Sequence, residues 1–291
     1  LSLALAAIML IGMMVVSASA VSYNDLTDKD QIVNKDAVSM LVSLGIIEGK
    51  PDGSYGPTEN VDRAQMAKML SVIMNKGVDN SALYQSVNSG LVDVNTNWAK
   101  GHINYCYTTG IIAGRGNGKF DPSATVTALE AAKMLLVAVG YDPAIEGFEG
   151  ADWAINVSVR ADEQGIFEGF TKDLSAPLNR DDAALLIYNA LDVEMIQSYT
   201  TNNYPIAYSD HRTILADKYG VIKVQGVVVA NEWASLASDD GDAALKEGKT
   251  TIYNGEGIFS TTGNTTVSKE DASLKTQTFN VSTPVDMLGK T

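Results

Sequence analysis

The chain has 291 residues and 45% hydrophobic content, enough for about two ordinary domains with real cores, so intrinsic disorder is a poor reading. Its 35 acidic against 21 basic side chains leave a formal charge of −14, which disfavours a general attraction to nucleic acid or to an anionic bilayer and requires any anionic partner to be met by a local basic site. One Cys and two distant His exclude an internal disulfide framework and a Cys/His-rich zinc site.

Residues 1–16 are almost wholly apolar and lead into Ser17-Ala18-Ser19-Ala20, which predicts a secretory signal peptide over residues 1–20 with cleavage after Ala20. The run falls short of the ~20 residues of a membrane span. Without an initiator Met or a basic segment before it, the chain is expected to start inside the encoded protein. The mature product is expected to be exported and soluble, and its lone Cys106 suits an export route that does not rely on disulfides.

Beyond residue 20 the dominant signal is self-similarity. Gly45-Ile46-Ile47-Glu48-Gly49 recurs as Gly110-Ile111-Ile112-Ala113-Gly114 and as Gly165-Ile166-Phe167-Glu168-Gly169. Before these motifs, Val33, Ala37, Leu41 and Leu44, and then Trp98, Ile103, Cys106 and Tyr107, predict one buried helical face, with Trp153 matching Trp98 in the third copy. The first Gly of each motif is placed to end its helix in a left-handed cap. A turn-rich loop comes next, with Asp52-Gly53 and Asn117-Gly118 as tight turns.

A second helix then opens in each copy with Asp62, Thr127 or Asn179 as N-cap. Gln65 and Glu130 are placed to complete capping boxes, and Asp182 is a shorter version of the device. Val61 with Met66, Val126 with Ala131, and Leu178 with Ala183 are placed as hydrophobic staples. Each repeat is therefore a helix, a Gly-rich loop and a helix. Alone it buries only one face of each helix, so the three are expected to pack about a common axis.

Arg63 and Arg180 occupy the first helical position of copies one and three, where a cation opposes the helix dipole at a cost of ~0.3–1 kcal/mol. Recurrence there points to an anion. Free N–H groups of a first helical turn favour negative charge, and a guanidinium can pair bidentately with a carboxylate. The competing reading is that each Arg pairs with one of the chain's own acids, a surface contact worth ~0–1 kcal/mol.

Together, Trp98-Ala99 and Trp153-Ala154, the G-I-I-x-G motif, the loop over 114–122 and the T-R-A-E-like helix start resemble the surface layer homology (SLH) domain, in three tandem copies over residues 21–193. The resemblance implies binding of secondary cell-wall polysaccharide of Gram-positive-type envelopes, typically a terminal pyruvylated N-acetylmannosamine, in grooves between adjacent repeats. The pyruvyl ketal is a carboxylate, and the resemblance puts Arg63 and Arg180 on it. Backbone groups of Gly49, Gly114, Gly116 and Asn117 are expected to line the grooves, with Asp62, Gln65, Thr127 and Glu130 of the helix starts counted in the site. Trp98 and Trp153 are candidates for apolar walls against a sugar face, with a core role as the other reading. Two departures weaken the pattern. Ala128 replaces the Arg of copy two, so its groove is expected to be weakened or silent, and copy three has a shorter loop before Arg180.

Other features stay at background level. The glycines at 114–118 lack the preceding strand and the G-K-[ST] of a phosphate loop. Asp239-Asp240-Gly241-Asp242 lacks the ligand spacing of a calcium loop. No catalytic motif surrounds His102 or His211, and His102 is read as a structural or surface residue. Glycosylation sequons at Asn156, Asn264 and Asn280 are patterns only. From residue 194 Thr, Ser, Asn, Gly and Val rise, and the stretches 221–229 and 250–253 predict strands.

The expected architecture is a mainly α N-terminal domain, a pseudo-threefold trio of helix-loop-helix repeats at 21–77, 91–141 and 150–193, followed by a β-rich region from 194 to 291 that is expected to continue past Thr291. The expected function is non-enzymatic anchoring of a secreted surface protein, such as an S-layer subunit, to the cell wall through pyruvylated secondary cell-wall polysaccharide. No catalytic residue, metal, cofactor, nucleic acid or mature-form membrane contact is expected. Self-assembly through the C-terminal part is a further option without residue-level support. The alternatives are an SLH-tethered envelope enzyme, a polysaccharide hydrolase with its catalytic domain beyond residue 291, and a degenerate scaffold that binds other proteins.

Overall fold

The computed structural model describes residues 22–221, 226–236, 244–253, 260–262, 266–268 and 276–290. The expected signal peptide, the acidic turn at 239–242, part of the stretch at 221–229 and the sequon at Asn264 lie outside the described residues. The chain divides into two compact units, one running to Ala138 and resuming over Phe148–Asn189, the other made of Val139–Gly147 and the residues from Ala190 onward.

The first unit is helical. Helices α1 (Lys35–Ser43) and α2 (Arg63–Met74) form one helix-loop-helix, α3 (Lys100–Thr108) and α4 (Ala128–Val139) a second, and α5 (Trp153–Glu163) and α6 (Arg180–Ala190) a third. Gly45, Gly110 and Gly165 end the first helix of each with φ of 69°, 78° and 69°, a conformation that a side chain would strain. Ala37, Leu41, Ile103 and Cys106 are buried as the periodicity predicts, but Val33 and Trp98 are 80% and 59% exposed. The expected buried face stops short of both because α1 starts at Lys35 and α3 at Lys100, leaving Val33 and Trp98 in non-helical entry segments.

The residue before each N-cap closes the trio. Val61 N–H donates to Leu178 O at 2.8 Å, Leu178 N–H to Val126 O at 2.8 Å, and Val126 N–H to Val61 O at 2.9 Å. All three side chains are buried, so a ring of hydrogen bonds and an apolar plug share one pseudo-threefold axis. The staple partners Met66, Ala131 and Ala183 are buried as well. Of the three second helices, that of copy two shows the reciprocal capping box, with Glu130 N–H on Thr127 Oγ1 and Thr127 N–H on Glu130 Oε2, both at 3.2 Å. In copies one and three the cap accepts from the backbone of Gln65 or Asp182, while Gln65 lines a groove and Asp182 pairs with Lys172.

The second unit carries the predicted β character in small antiparallel sheets. Strands β1 (Ile196–Tyr199) and β2 (Pro205–Ala207) form a hairpin that precedes α7 (Ile214–Tyr219). Strands β3 (Val227–Asn231), β4 (Thr250–Tyr253) and β7 (Thr276–Phe279) pair in the order β3-β4-β7, and β5 (Ser260–Thr262) pairs with β6 (Thr266–Ser268).

Candidate functional site

Arg63 leaves the start of α2 and crosses to the loop of the second repeat. Its Nε–H donates to Phe120 O and its Nη2 to Ala113 O, both at 2.8 Å, while the guanidinium carbon lies 4.3 Å from the centre of the Phe120 ring. Arg180, at the start of α6, crosses to the loop of the first repeat in the same way. Its Nε–H donates to Tyr55 O at 2.8 Å and its Nη2 to Glu48 O at 3.4 Å, with the Tyr55 ring 4.7 Å away. Phe120 and Tyr55 hold the same place in the repeat, as do Ala113 and Glu48. Two chemically different loops therefore hold an arginine through the same set of contacts, with the Nη2 bond longer at Arg180.

Neither arginine is ion-paired with a carboxylate among the described residues; carbonyl oxygens and a ring face meet the charge instead. That corrects the internal-pairing reading. Arg63 is 5% exposed. Burial, helped by the neighbouring Arg115, pulls its pKa down to about 10, which still leaves it protonated at neutral pH.

The expectation of free first-turn amides is overturned. Arg63 N–H donates to Ala124 O and Ala64 N–H to Pro122 O, both at 2.9 Å, and Arg180 N–H donates to Glu59 O at 2.8 Å. Asp181 N–H and Leu129 N–H donate to Pro57 O and Leu174 O, each at 3.1 Å. Each second helix docks its N-terminus on the loop of a neighbouring repeat, so those donors are occupied. Attraction for an anion is left to side chains.

Each arginine borders a groove. The Arg63 groove, about 350 Å³, is lined by Ala113, Gly114, Arg115, Glu130, Lys133 and Trp153 among others. The Arg180 groove, about 270 Å³, is lined by Glu48, Gly49, Lys50, Gln65, Lys68 and Trp98 at the corresponding positions. Every groove thus draws its arginine, its loop and its indole from three different repeats. In the first, Arg115 pairs with Glu130 at 2.6 Å, and Lys133 donates to Phe148 O at 2.6 Å with its ammonium 5.8 Å from the Trp153 ring. Burial pushes the Lys133 pKa down. In the second, Lys68 pairs with Glu48 at 3.1 Å and Lys50 with Glu59.

The grooves thus bring together Arg63, Arg180, Gly49, Gly114, Gln65, Glu130, Trp98 and Trp153 of the residues expected at the site. They do not include Asp62, Thr127, Gly116 or Asn117. Asp62 and Thr127 are engaged as helix caps. Gly116 and Asn117, with φ of 92° and 52°, form the tip of a turn closed by Lys119 N–H on Gly116 O at 3.0 Å. In the third relation of this kind Ala128 is buried, and Lys172 stands where the other loops place Tyr55 and Phe120.

The sequence reading missed Tyr55 and Phe120, and also Asp28 and Asp93. Asp93 accepts the N–H groups of Phe120 at 2.9 Å and Asp121 at 2.8 Å, and Asp28 those of Tyr55 at 2.7 Å and Gly56 at 2.8 Å. Burial pushes the Asp93 carboxyl up, but those two N–H donors outweigh it and hold it below the usual carboxylate range. The available signal was register, since Asp28 and Asp93 are separated by the same interval as Gly45 and Gly110.

Residues 22–67 and 92–132 match the S-layer homology domain family. The chain is 29% identical over 253 residues to a cell surface protein of Thermoanaerobacter kivui, a match covering 85% of this chain and 30% of that protein. It is 27% identical over 206 residues to the middle cell wall protein of Brevibacillus brevis, covering 70% and 18%. A 29% identical match over 188 residues, covering 60% and 16%, is to the exoglucanase XynX of Acetivibrio thermocellus. The chain spans 30% or less of the length of these relatives. The first two helix-loop-helix units thus carry S-layer homology segments, and the similarity is to proteins of the cell surface and cell wall. No described helix is long and apolar enough to cross a membrane.

Proposed function

We propose that the helical unit anchors a larger surface protein to the cell wall by taking the carboxylate of a pyruvylated secondary cell-wall polysaccharide into the Arg63 and Arg180 grooves. On this reading the third helix-loop-helix is an S-layer homology repeat as well, and the unit itself carries out no reaction. The supporting observation is that both arginines are fixed by carbonyls and an aromatic face and are not paired with a carboxylate among the described residues. Their orientation is set beforehand while the charge stays available, which lowers the ordering cost of binding.

The indole at the lip of each groove supplies an apolar wall for a sugar face, and Lys133 or Lys68 adds a second cation nearby. Two such grooves on one unit meeting a repeated polymer raise retention through effective concentration. Similarity to both a cell surface protein and an exoglucanase fits a tether that serves different cargo.

The test is co-sedimentation of the chain with purified wall fragments. Binding is expected to disappear when the secondary polymer or its pyruvyl group is removed, and to fall sharply in the Arg63→Ala, Arg180→Ala double variant. Undiminished binding in either case refutes the proposal.

A further inference from the structure

Both arginines rest on a shelf that belongs to another repeat, and both shelves are built alike. The shelf is one residue, Phe120 or Tyr55, which offers its carbonyl oxygen to the arginine Nε–H and its ring to the guanidinium face. Beyond Phe120 and Tyr55 the chain turns through positive φ, 56° at Asp121 and 71° at Gly56. For Asp121, a residue with a side chain, this conformation is unfavourable unless neighbours enforce it. The enforcing group is a carboxylate from much earlier in each repeat. Asp93 takes the N–H groups of Phe120 and Asp121, and Asp28 those of Tyr55 and Gly56. The amide of the shelf residue is bound by the aspartate while its carbonyl is bound by the arginine, so the two sides of one residue join a carboxylate and a guanidinium that never touch.

The third repeat supplies an internal control. Where the other loops have an aromatic residue it has Lys172, which pairs with Asp182, and the helix that would reach this loop starts with Ala128. Phe148 stands where repeat two has Asp93, counted from the paired Trp153 and Trp98. Aspartate, shelf and arginine are all absent together.

We propose that Asp28 and Asp93 are positioning residues for ligand binding, each serving the groove of an arginine from a different repeat: Asp93 sets Arg63 through Phe120, and Asp28 sets Arg180 through Tyr55. The carboxylate fixes the direction of the shelf carbonyl, and the carbonyl fixes the guanidinium plane. The binding part of this proposal rests on the anchoring function above, but the mechanical part does not.

Two measurements separate them. In the first, a monovalent pyruvyl ketal of methyl N-acetylmannosaminide is titrated calorimetrically into the full chain carrying Arg180→Ala, so that only the Arg63 groove reports. Asp93→Asn is expected to weaken binding about tenfold, the loss of roughly one charge-assisted contact, while Asp28→Asn stays within about twofold. With Arg63→Ala as background the two swap roles. Equal loss in both grooves, tracking a fall in melting temperature, would mark the aspartates as merely structural and overturn the proposal.

The second measurement needs no sugar. Hydrogen exchange of the arginine Nε–H groups, followed by NMR, should accelerate at Arg63 in Asp93→Asn and at Arg180 in Asp28→Asn, each without the other. Selective exchange effects in a chain that binds no ketal would sink the anchoring function and leave the positioning role standing. Normal ketal binding with unchanged exchange and affinity in the aspartate variants would do the reverse. Should Asp93→Asn fail to fold, Asp93→Ser, which keeps one acceptor, takes the same two measurements with the same expected direction.

Discussion

The N–H of Val126 donates to the carbonyl oxygen of Val61 at 2.9 Å, and the same bond, repeated from Leu178 to Val126 and from Val61 to Leu178, returns to its starting point. No repeat can leave without breaking two of the three bonds and exposing the buried side chain at the centre. The helical unit is therefore expected to unfold as one cooperative body. Leu178→Ala opens a cavity at this axis and should cost about 2–5 kcal/mol. In urea, far-UV circular dichroism of the helices should show a single transition at a lower midpoint; separate transitions for the repeats would contradict the closed ring.

Arg63 and its neighbours predict a separation between stability and binding. Arg63→Ala leaves Phe120 O and Ala113 O without their donors and should cost about 1–3 kcal/mol of stability. Arg63→Lys restores the charge but not the planar fork, so one ammonium cannot reproduce the geometry with which the guanidinium spans both carbonyls. It should recover much of the stability and little of the wall binding. Equilibrium denaturation and co-sedimentation on the same two variants check this.

Trp98 is 59% exposed at the edge of the Arg180 groove. Its removal should barely disturb folding, within about 0.5 kcal/mol for a surface substitution. Binding of wall polymer by a chain that has only the Arg180 groove intact should nevertheless weaken by roughly 1–2 kcal/mol, the scale of an aromatic contact at a binding surface. Trp98→Ala in the Arg63→Ala background, compared by melting temperature and co-sedimentation, is the measurement.

His102 gives the fold an acid-sensitive point. Its ring is 3% exposed, with Nδ1 2.6 Å from Ser71 Oγ and Nε2 3.6 Å from Asp79. Burial lowers its pKa, against the raising effect of Asp79 and with a further lowering by Lys68. A depressed pKa in the folded state means that the unfolded chain binds the proton more readily. This contribution is therefore fully present above the unfolded value of about 6.5 and is lost as pH falls from there toward the folded value. Midpoints measured from pH 7.5 to 5 should fall less steeply in His102→Gln than in the parent chain.

Much of this was legible along the chain because its signals are local. Gly45, Gly110 and Gly165 announce left-handed caps, Asp62, Thr127 and Asn179 announce helix starts, and the recurrence of Arg63 and Arg180 at one position marks the candidate site. Val33 and Trp98 were misjudged because periodicity cannot tell where a helix begins, and a shift of two residues moves a side chain out of the core. The expected role of first-turn amides failed for a different reason. A helix start looks vacant until the loop that covers it is known, and here Ala124, Pro122, Glu59 and Pro57 supply the carbonyls from other repeats.

The order of residues was enough to establish that helix-loop-helix units recur, where the first helix of each ends and the second begins, and which positions hold arginine, since caps and turns are set by residues a few places apart. It took the folded trio to reveal that each arginine serves a neighbour's loop, that Trp98 and Trp153 border grooves, and that Asp28 and Asp93 stand behind them. Those relations are made when Val61, Val126 and Leu178 close their ring, and hydrogen bonds between distant segments leave no periodic trace along the chain.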